Sequence, residues 1–216
     1  MGAAAPARRR LSRPRLLRPR ARTRARVLAA ARAILRRDGY RGLTMERVAA
    51  ESGAAKTTLY RRWPTRAALC MDLYLEVAGH ELRDPDTGDV GRDLERIADT
   101  VVRLQTRTVA GPAFVGLIAE AQLRPETRTA FLAEFAGRRR ELTRRVLRRA
   151  VARGELRAGT DVDLVIDALG GAVTFRLLQG HAPLSRGFTR ALVGLVLSGC
   201  RAARSPRRRP RKQARA

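Results

Sequence analysis

Between Gly39 and Thr65 the chain stops and restarts helices at intervals too short for anything but a tight helical turn unit. Thr44 is a start signal, because its hydroxyl can accept a backbone N–H of the first helical turn. Leu43 before it and Val48 after it stand at the two positions of a hydrophobic staple. Met45 to Ser52 then make a short helix, which Gly53 stops. A second short helix runs from Ala55 to Arg62 and ends at Pro64, which cannot continue the hydrogen-bond ladder. Thr65 caps a longer helix reaching Ala78. Ahead of the unit, a helix beginning near Thr23 sets Val27, Leu28, Ala31, Ile34 and Leu35 at helical spacing and stops at Gly39.

Two short helices joined by a glycine turn, behind a longer apolar helix, form a helix-turn-helix over residues 44–63. A helix that enters a major groove about 12 Å wide must be slim and polar outward. Residues 55–62 read AKTTLYRR, so Leu59 anchors inward while Lys56, Thr57, Thr58, Arg61 and Arg62 stay outside. Lysine and arginine donate to guanine edges or phosphates, and threonine meets a thymine methyl. Trp63 reads as core.

The remainder shows helical periodicity, no repeat and no strand, and the fold class is all-α. Asp84 to Gly91 is a turn-rich break between domains. Helices are expected from Asp93 to Thr108, from Gly111-Pro112 to Leu123, and from Pro125 to Arg153 with a bend near Gly137. Asp161 caps a helix with Leu164, Val165, Ala168, Leu169, Ala172, Val173 and Leu177 on one face. The last helix sets Phe188, Ala191, Leu192, Leu195 and Val196 on one face. The domain plan is a disordered basic arm (1–22), a DNA-binding domain (23–78), a second helical domain (79–202) and a basic tail (203–216).

Most of the formal charge of +26 lies in the two ends. Residues 1–26 carry ten Arg and residues 201–216 eight Lys or Arg, with no acid in either stretch. Basic arms suit a polyanionic partner. A second reading stands beside this one: 44 Arg against two Lys is the skew of a GC-rich coding sequence, and the arms would then be passive solvated tails. Cys70 and Cys200 form neither a disulfide framework nor a metal spacing. His80 and His181 stand apart from any nucleophile or carboxylate pattern, and Asp161, Asp163 and Asp167 are explained by a helix start. The expectation is a non-enzyme with no cofactor and no metal. No stretch reaches the roughly 20 apolar residues of a membrane span. No secretory signal opens the chain, so a soluble, cytoplasmic protein without a membrane partner is expected.

Residues 23–74, TRARVLAAARAILRRDGYRGLTMERVAAESGAAKTTLYRRWPTRAALCMDLY, closely resemble the N-terminal domain of TetR-family regulators. Gly39-Tyr40, Leu43-Thr44, Gly53, Thr58-Leu59-Tyr60 and Trp63-Pro64-Thr65-Arg66 carry the resemblance in spacing as well as type. It implies a double-stranded, palindromic DNA operator as partner. It assigns phosphate and edge contacts to Thr44 and Met45, and base reading to Lys56, Thr57 and Thr58. Tyr60 and Arg66 fall at phosphate-contacting positions, and Arg61 and Arg62 are further phosphate or guanine contacts. Ala55 departs from the serine that many relatives place there, and it cannot cap the recognition helix.

For the second domain the resemblance implies a homodimer and a pocket for a small-molecule effector, mainly apolar. Candidate lining residues are Leu104, Phe114, Leu117, Ile118 and Phe131. Phe135, Phe175 and two amides, Gln122 and Gln179, complete the set. The dimer interface is expected on the last two long helices. There Gly170, Gly171 and Ala172 allow close approach, and Leu192, Leu195 and Val196 supply apolar area. The implied function is a ligand-responsive repressor. The competing reading is a nonspecific nucleoid-type DNA-binding protein driven by its arms.

Overall fold

The computed structural model describes residues 19–79 and 81–201. These form ten α-helices, with one antiparallel bridge, Leu156 to Arg201, as the extended pairing among the described residues. The basic segments lie outside the described residues, except that α1 (Pro19–Gly42) begins ahead of the expected Thr23. Proline is well placed at a helix start, since its fixed φ suits the first turn.

The N-terminal domain consists of α1, α2 (Met45–Ser52), α3 (Lys56–Arg62) and α4 (Arg66–Gly79). Val27, Leu28, Ala31, Ile34 and Leu35 of α1 are all buried, in one core with Leu43, Val48, Leu59, Trp63 and Leu69. The break in α1 falls at Gly39, whose φ of 65° is left-handed. Gly53 takes the same conformation, φ 63°, to make the tight turn between α2 and α3.

The C-terminal domain begins at α5 (Val90–Arg107), capped by Asp89. Asp93, the expected start, is instead buried and accepts from the Thr87 backbone N–H and hydroxyl. The Asp84–Gly91 break is therefore pinned: Asp84 also accepts from Arg145 and Arg149. Next come α6 (Ala110–Leu123), α7 (Pro125–Ala130) and α8 (Gly137–Ala152). Residues Phe131–Ala136 between the last two are π-helical. Near Gly137, where a bend was expected, the irregularity is that wider turn just before it, and Gly137 itself is helical. Asp161 caps α9 (Val162–Gln179) as expected, and Ser185 caps α10 (Arg186–Ser198).

A second core joins α5, α8, α9 and α10 through Leu94, Val101, Val146, Leu147, Val165 and Val193. The inward faces of α9 and α10 overlap the expected ones in part. Val165, Ile166 and Val173 of α9 point in, whereas Leu164 is 64% exposed. Thr189, Leu192, Val193 and Leu197 of α10 point in, whereas Leu195 is 72% exposed. Both helices carry apolar residues on two faces, so periodicity alone does not say which face belongs to the protomer.

The two domains on either side of the break at 84–91 share packed cores. Val109, Ala113 and Leu117 at and along α6 complete the core of the N-terminal domain. Tyr74 and Ala78 of α4 pack in a third cluster with Leu104, Ala110 and Phe114. The helix leading out of the helix-turn-helix is thus packed directly on the second domain.

Candidate nucleic-acid interface

The helix-turn-helix is built by short-range forces. The Thr44 hydroxyl accepts from the Arg47 N–H and starts α2. Buried Leu59 and Trp63 fasten α3 to the core, and the Trp63 indole N–H donates to Asp72, 3.0 Å away. Asp72 also takes Arg24 of α1, which ties three helices together at one carboxylate. Burial pushes the Asp72 carboxyl up, but the Arg24 and Trp63 donors outweigh this and hold it below the usual range.

That scaffold leaves Lys56, Thr57, Arg61 and Arg62 exposed along α3, with Thr58 half-buried. Arg62 lies over the Trp63 ring at 5.1 Å. Ion pairs of the N-terminal domain occupy Arg24, Arg32, Arg37, Arg47 and Arg66, none of which lies on α3. Lys56, Arg61 and Arg62 on α3 make none of these ion pairs and keep their charged donors toward solvent.

Three expected DNA contacts are modified. Met45 is buried in the core, because α2 is amphipathic and its first residue falls on the inward side. Tyr60 is 41% exposed, and its hydroxyl donates to Glu46 at 2.9 Å, bracing α3 against α2. Arg66 is engaged by the second domain. Its guanidinium reaches Glu120 of α6 at 2.7 Å and lies over the Tyr40 ring at 4.4 Å. Tyr40 donates to the same carboxylate at 2.8 Å. A side chain at Gly116 would overlap the Tyr40 ring, so glycine is required for this approach of α1 to α6.

The Tyr40–Arg66–Glu120 contact is an interdomain latch that the sequence alone did not suggest. Burial raises the Glu120 carboxyl, but Arg66 and Tyr40 outweigh burial and set it below the ordinary glutamate range. Its stabilising contribution is accordingly present at neutral pH and lost as the pH falls through that depressed value. Melting curves from neutral pH to about pH 3 should show this acid-sensitive portion in the parent chain and not in Glu120→Gln.

α3 begins without a side-chain cap, since Ala55 makes no such bond. Ala55→Ser should stabilise the domain by about 0.5–1 kcal/mol, read as a raised melting temperature. An unchanged or lower value would show that the helix start is held by other means.

Behind the helix-turn-helix, a cavity of about 460 Å³ opens between α5, α6, α8 and α9. Phe114, Ile118 and Phe131 line it, as expected. Leu104 and Leu117 are buried beside it in the cores rather than lining it. Gln122 and Gln179 are exposed at helix ends, and Gln122 donates to the Ile118 carbonyl. Phe175 is 60% exposed, with its ring 5.6 Å from that of His181. The Phe135 side chain lies outside the described residues. Gly170 and Gly171, expected at the dimer interface, both reach the cavity wall, and Ala172 and Val196 pack against the protomer core. Leu192 is buried in that core.

Known proteins share both halves of this arrangement. Residues 27–71 match the family described as bacterial regulatory proteins, tetR family, and residues 84–196 match the tetracyclin repressor-like C-terminal domain. The chain belongs to the TetR family of transcriptional regulators. It is 34% identical to the DNA-binding transcriptional repressor TetR of Mycobacteroides abscessus, over 79% of this chain and 90% of that protein. It is 32% identical to the regulator AqdR of Rhodococcus erythropolis, over 83% of this chain and 86% of that one. The crystal structure of the TetR-family regulator SCO0332 superposes with a TM-score of 0.71 at 40% identity, covering 82% of this chain and 97% of that one. TetR-family regulators bind DNA operators and small-molecule effectors and are typically dimers. The family and these relatives are transcriptional regulators, not enzymes. Burial pushes the Cys70 thiol up to about 12. No helix among the described residues is long and apolar enough to cross a membrane.

Two sets of residues were hidden from sequence reasoning. One is the latch just described. The other is the polar part of the cavity wall, Arg139, Thr143 and Thr174, which sits on helices read only for their apolar spacing.

Proposed function

We propose that this TetR-family chain is a ligand-responsive repressor. A homodimer places α3 of each protomer in consecutive major grooves of a palindromic operator. A small effector with a mainly apolar body enters the cavity between α5, α6, α8 and α9 and favours a dimer that releases the DNA. The observation that carries this reading is the exposed Lys56–Thr57–Arg61 face on a helix clamped from behind by Leu59 and Trp63. Thr58, Arg62 and the Thr44 end of α2 flank that face. Tyr60 reaches a phosphate only by leaving or sharing Glu46.

The second copy covers the outer face of α9 and α10. Leu164, Ala168, Gly171, Phe175 and Leu178 recur along α9, and Leu195 stands beside them on α10. Exposed apolar residues grouped on two helices are what an isologous four-helix contact needs. An effector shifts the balance only by its different affinity for the two states. The structural route is short, because α6 carries both cavity residues and Glu120 of the latch.

The test is a competition titration. A genomic fragment retained by the full chain is challenged with excess random DNA, for the parent and for a chain lacking residues 1–18 and 202–216. A repressor keeps its fragment in both forms, with a shallower salt dependence in the shorter one. Loss of all preference in either form supports the nucleoid-type alternative. A fragment complex that no small molecule dissociates across a broad screen removes the ligand-response part.

A further inference from the structure

The cavity is mostly apolar, with Ile97, Val101, Phe114 and Ile166 among its walls, but two arginines, Arg139 and Arg140, also line it. Helix α8 is rich in arginine. Arg140, Arg144, Arg145, Arg149 and Arg153 at and along it each hold a carboxylate. Arg139 differs. It lines the cavity, and no carboxylate among the described residues lies within ion-pair distance of its guanidinium. Burial pulls Arg139 below the ordinary arginine range, and the nearby Tyr74 hydroxyl offsets this only in part. A desolvated guanidinium gains most from a planar anion that accepts two parallel hydrogen bonds. The Thr143 and Thr174 side chains on the same wall add hydroxyl groups beside it.

We infer that the effector is an organic carboxylate, an apolar body whose acid group docks on Arg139. This rests on the effector-cavity reading above and narrows its ligand class. It also supplies a connection to the DNA-binding domain. Tyr74 belongs to α4 and its ring packs 6.3 Å from that of Phe114, which lines the cavity, so a ligand seated there adjoins α4 through that pair. Arg140 on the same wall does not compete for the acid, because Asp167 and Asp163 already neutralise it.

The experiment uses the full chain at pH 7.5 with three probes of one length, decanoate, decanol and decylammonium, below their aggregation concentrations. Binding is followed by saturable shifts in melting temperature and by calorimetry. Decanoate should bind best, and Arg139→Gln should weaken it roughly 30-fold or more while leaving decanol nearly unchanged. Arg139→Lys keeps the charge without the planar fork, so it should retain a reduced preference for the acid. It also serves if the Gln variant does not fold. Decanol or decylammonium binding as tightly as decanoate to the parent chain overturns the carboxylate assignment and leaves the effector cavity standing. So does an acid preference untouched by both variants. Absence of saturable binding by all three probes overturns the cavity reading and the assignment together.

Discussion

A chain carrying Phe175→Glu and Leu195→Glu is expected to run as a folded monomer and to hold its operator at least about 100-fold more weakly than the parent. Both side chains are largely exposed in the protomer, so neither change empties the core. Each apolar side chain fully buried at an interface contributes about 1.5–3 kcal/mol, and a two-fold axis counts it twice. Leu164 and Leu178 lie on the same face, so the patch far exceeds what a lone surface leucine explains. Glutamates placed against their symmetry mates also repel. Loss of the dimer turns binding of the second half-site from an intramolecular event into a bimolecular one, which is the origin of the predicted factor. Sedimentation equilibrium and helical circular dichroism separate dissociation from unfolding, and fluorescence anisotropy reads affinity. A variant that remains dimeric would move the interface to another face.

The second large effect belongs to Lys56. Lys56→Ala should cost about 1–3 kcal/mol of operator binding, roughly 5- to 150-fold, and should relax base preference at one position in each half-site. Lys56 is the first residue of α3, on the exposed face, where a side chain can reach a base edge. Arg61→Ala is the contrast. It sits a turn further along, and as a phosphate contact its removal should weaken all DNA sequences alike and reduce the salt slope by about one. If Lys56→Ala instead weakens operator and random DNA equally, Lys56 is a phosphate contact and base reading rests with Thr57 and Thr58.

The parts legible in the sequence were those fixed by neighbours in the chain. Thr44, Gly53, Pro64 and Asp161 each start or stop a helix through their own backbone or side-chain chemistry, and each does so in the structure. The α1 stripe was legible because that helix is apolar on one face only. Legibility failed where two packing partners competed for a helix. Leu192 and Leu195 are equally apolar and three positions apart, yet one is core and the other surface. Met45 and Arg66 carried expectations by position in a motif, but tertiary contacts claimed both. The amides Gln122 and Gln179 drew attention as polar groups on apolar helices, although helix ends exposed them to solvent. Arg139 was indistinguishable in sequence from its neighbours on α8. Its place in the cavity wall, away from the carboxylates that hold Arg140 and Arg144, sets it apart.

The central claim is that two copies of α3 read DNA as a symmetric pair. It is tested most directly by selecting bound fragments from a random DNA library with the full chain and sequencing them. The account predicts an inverted repeat whose half-site centres lie about one helical turn, roughly 34 Å, apart. Recovery of fragments with no shared motif, or of a single unrepeated site bound by a monomer, would contradict it.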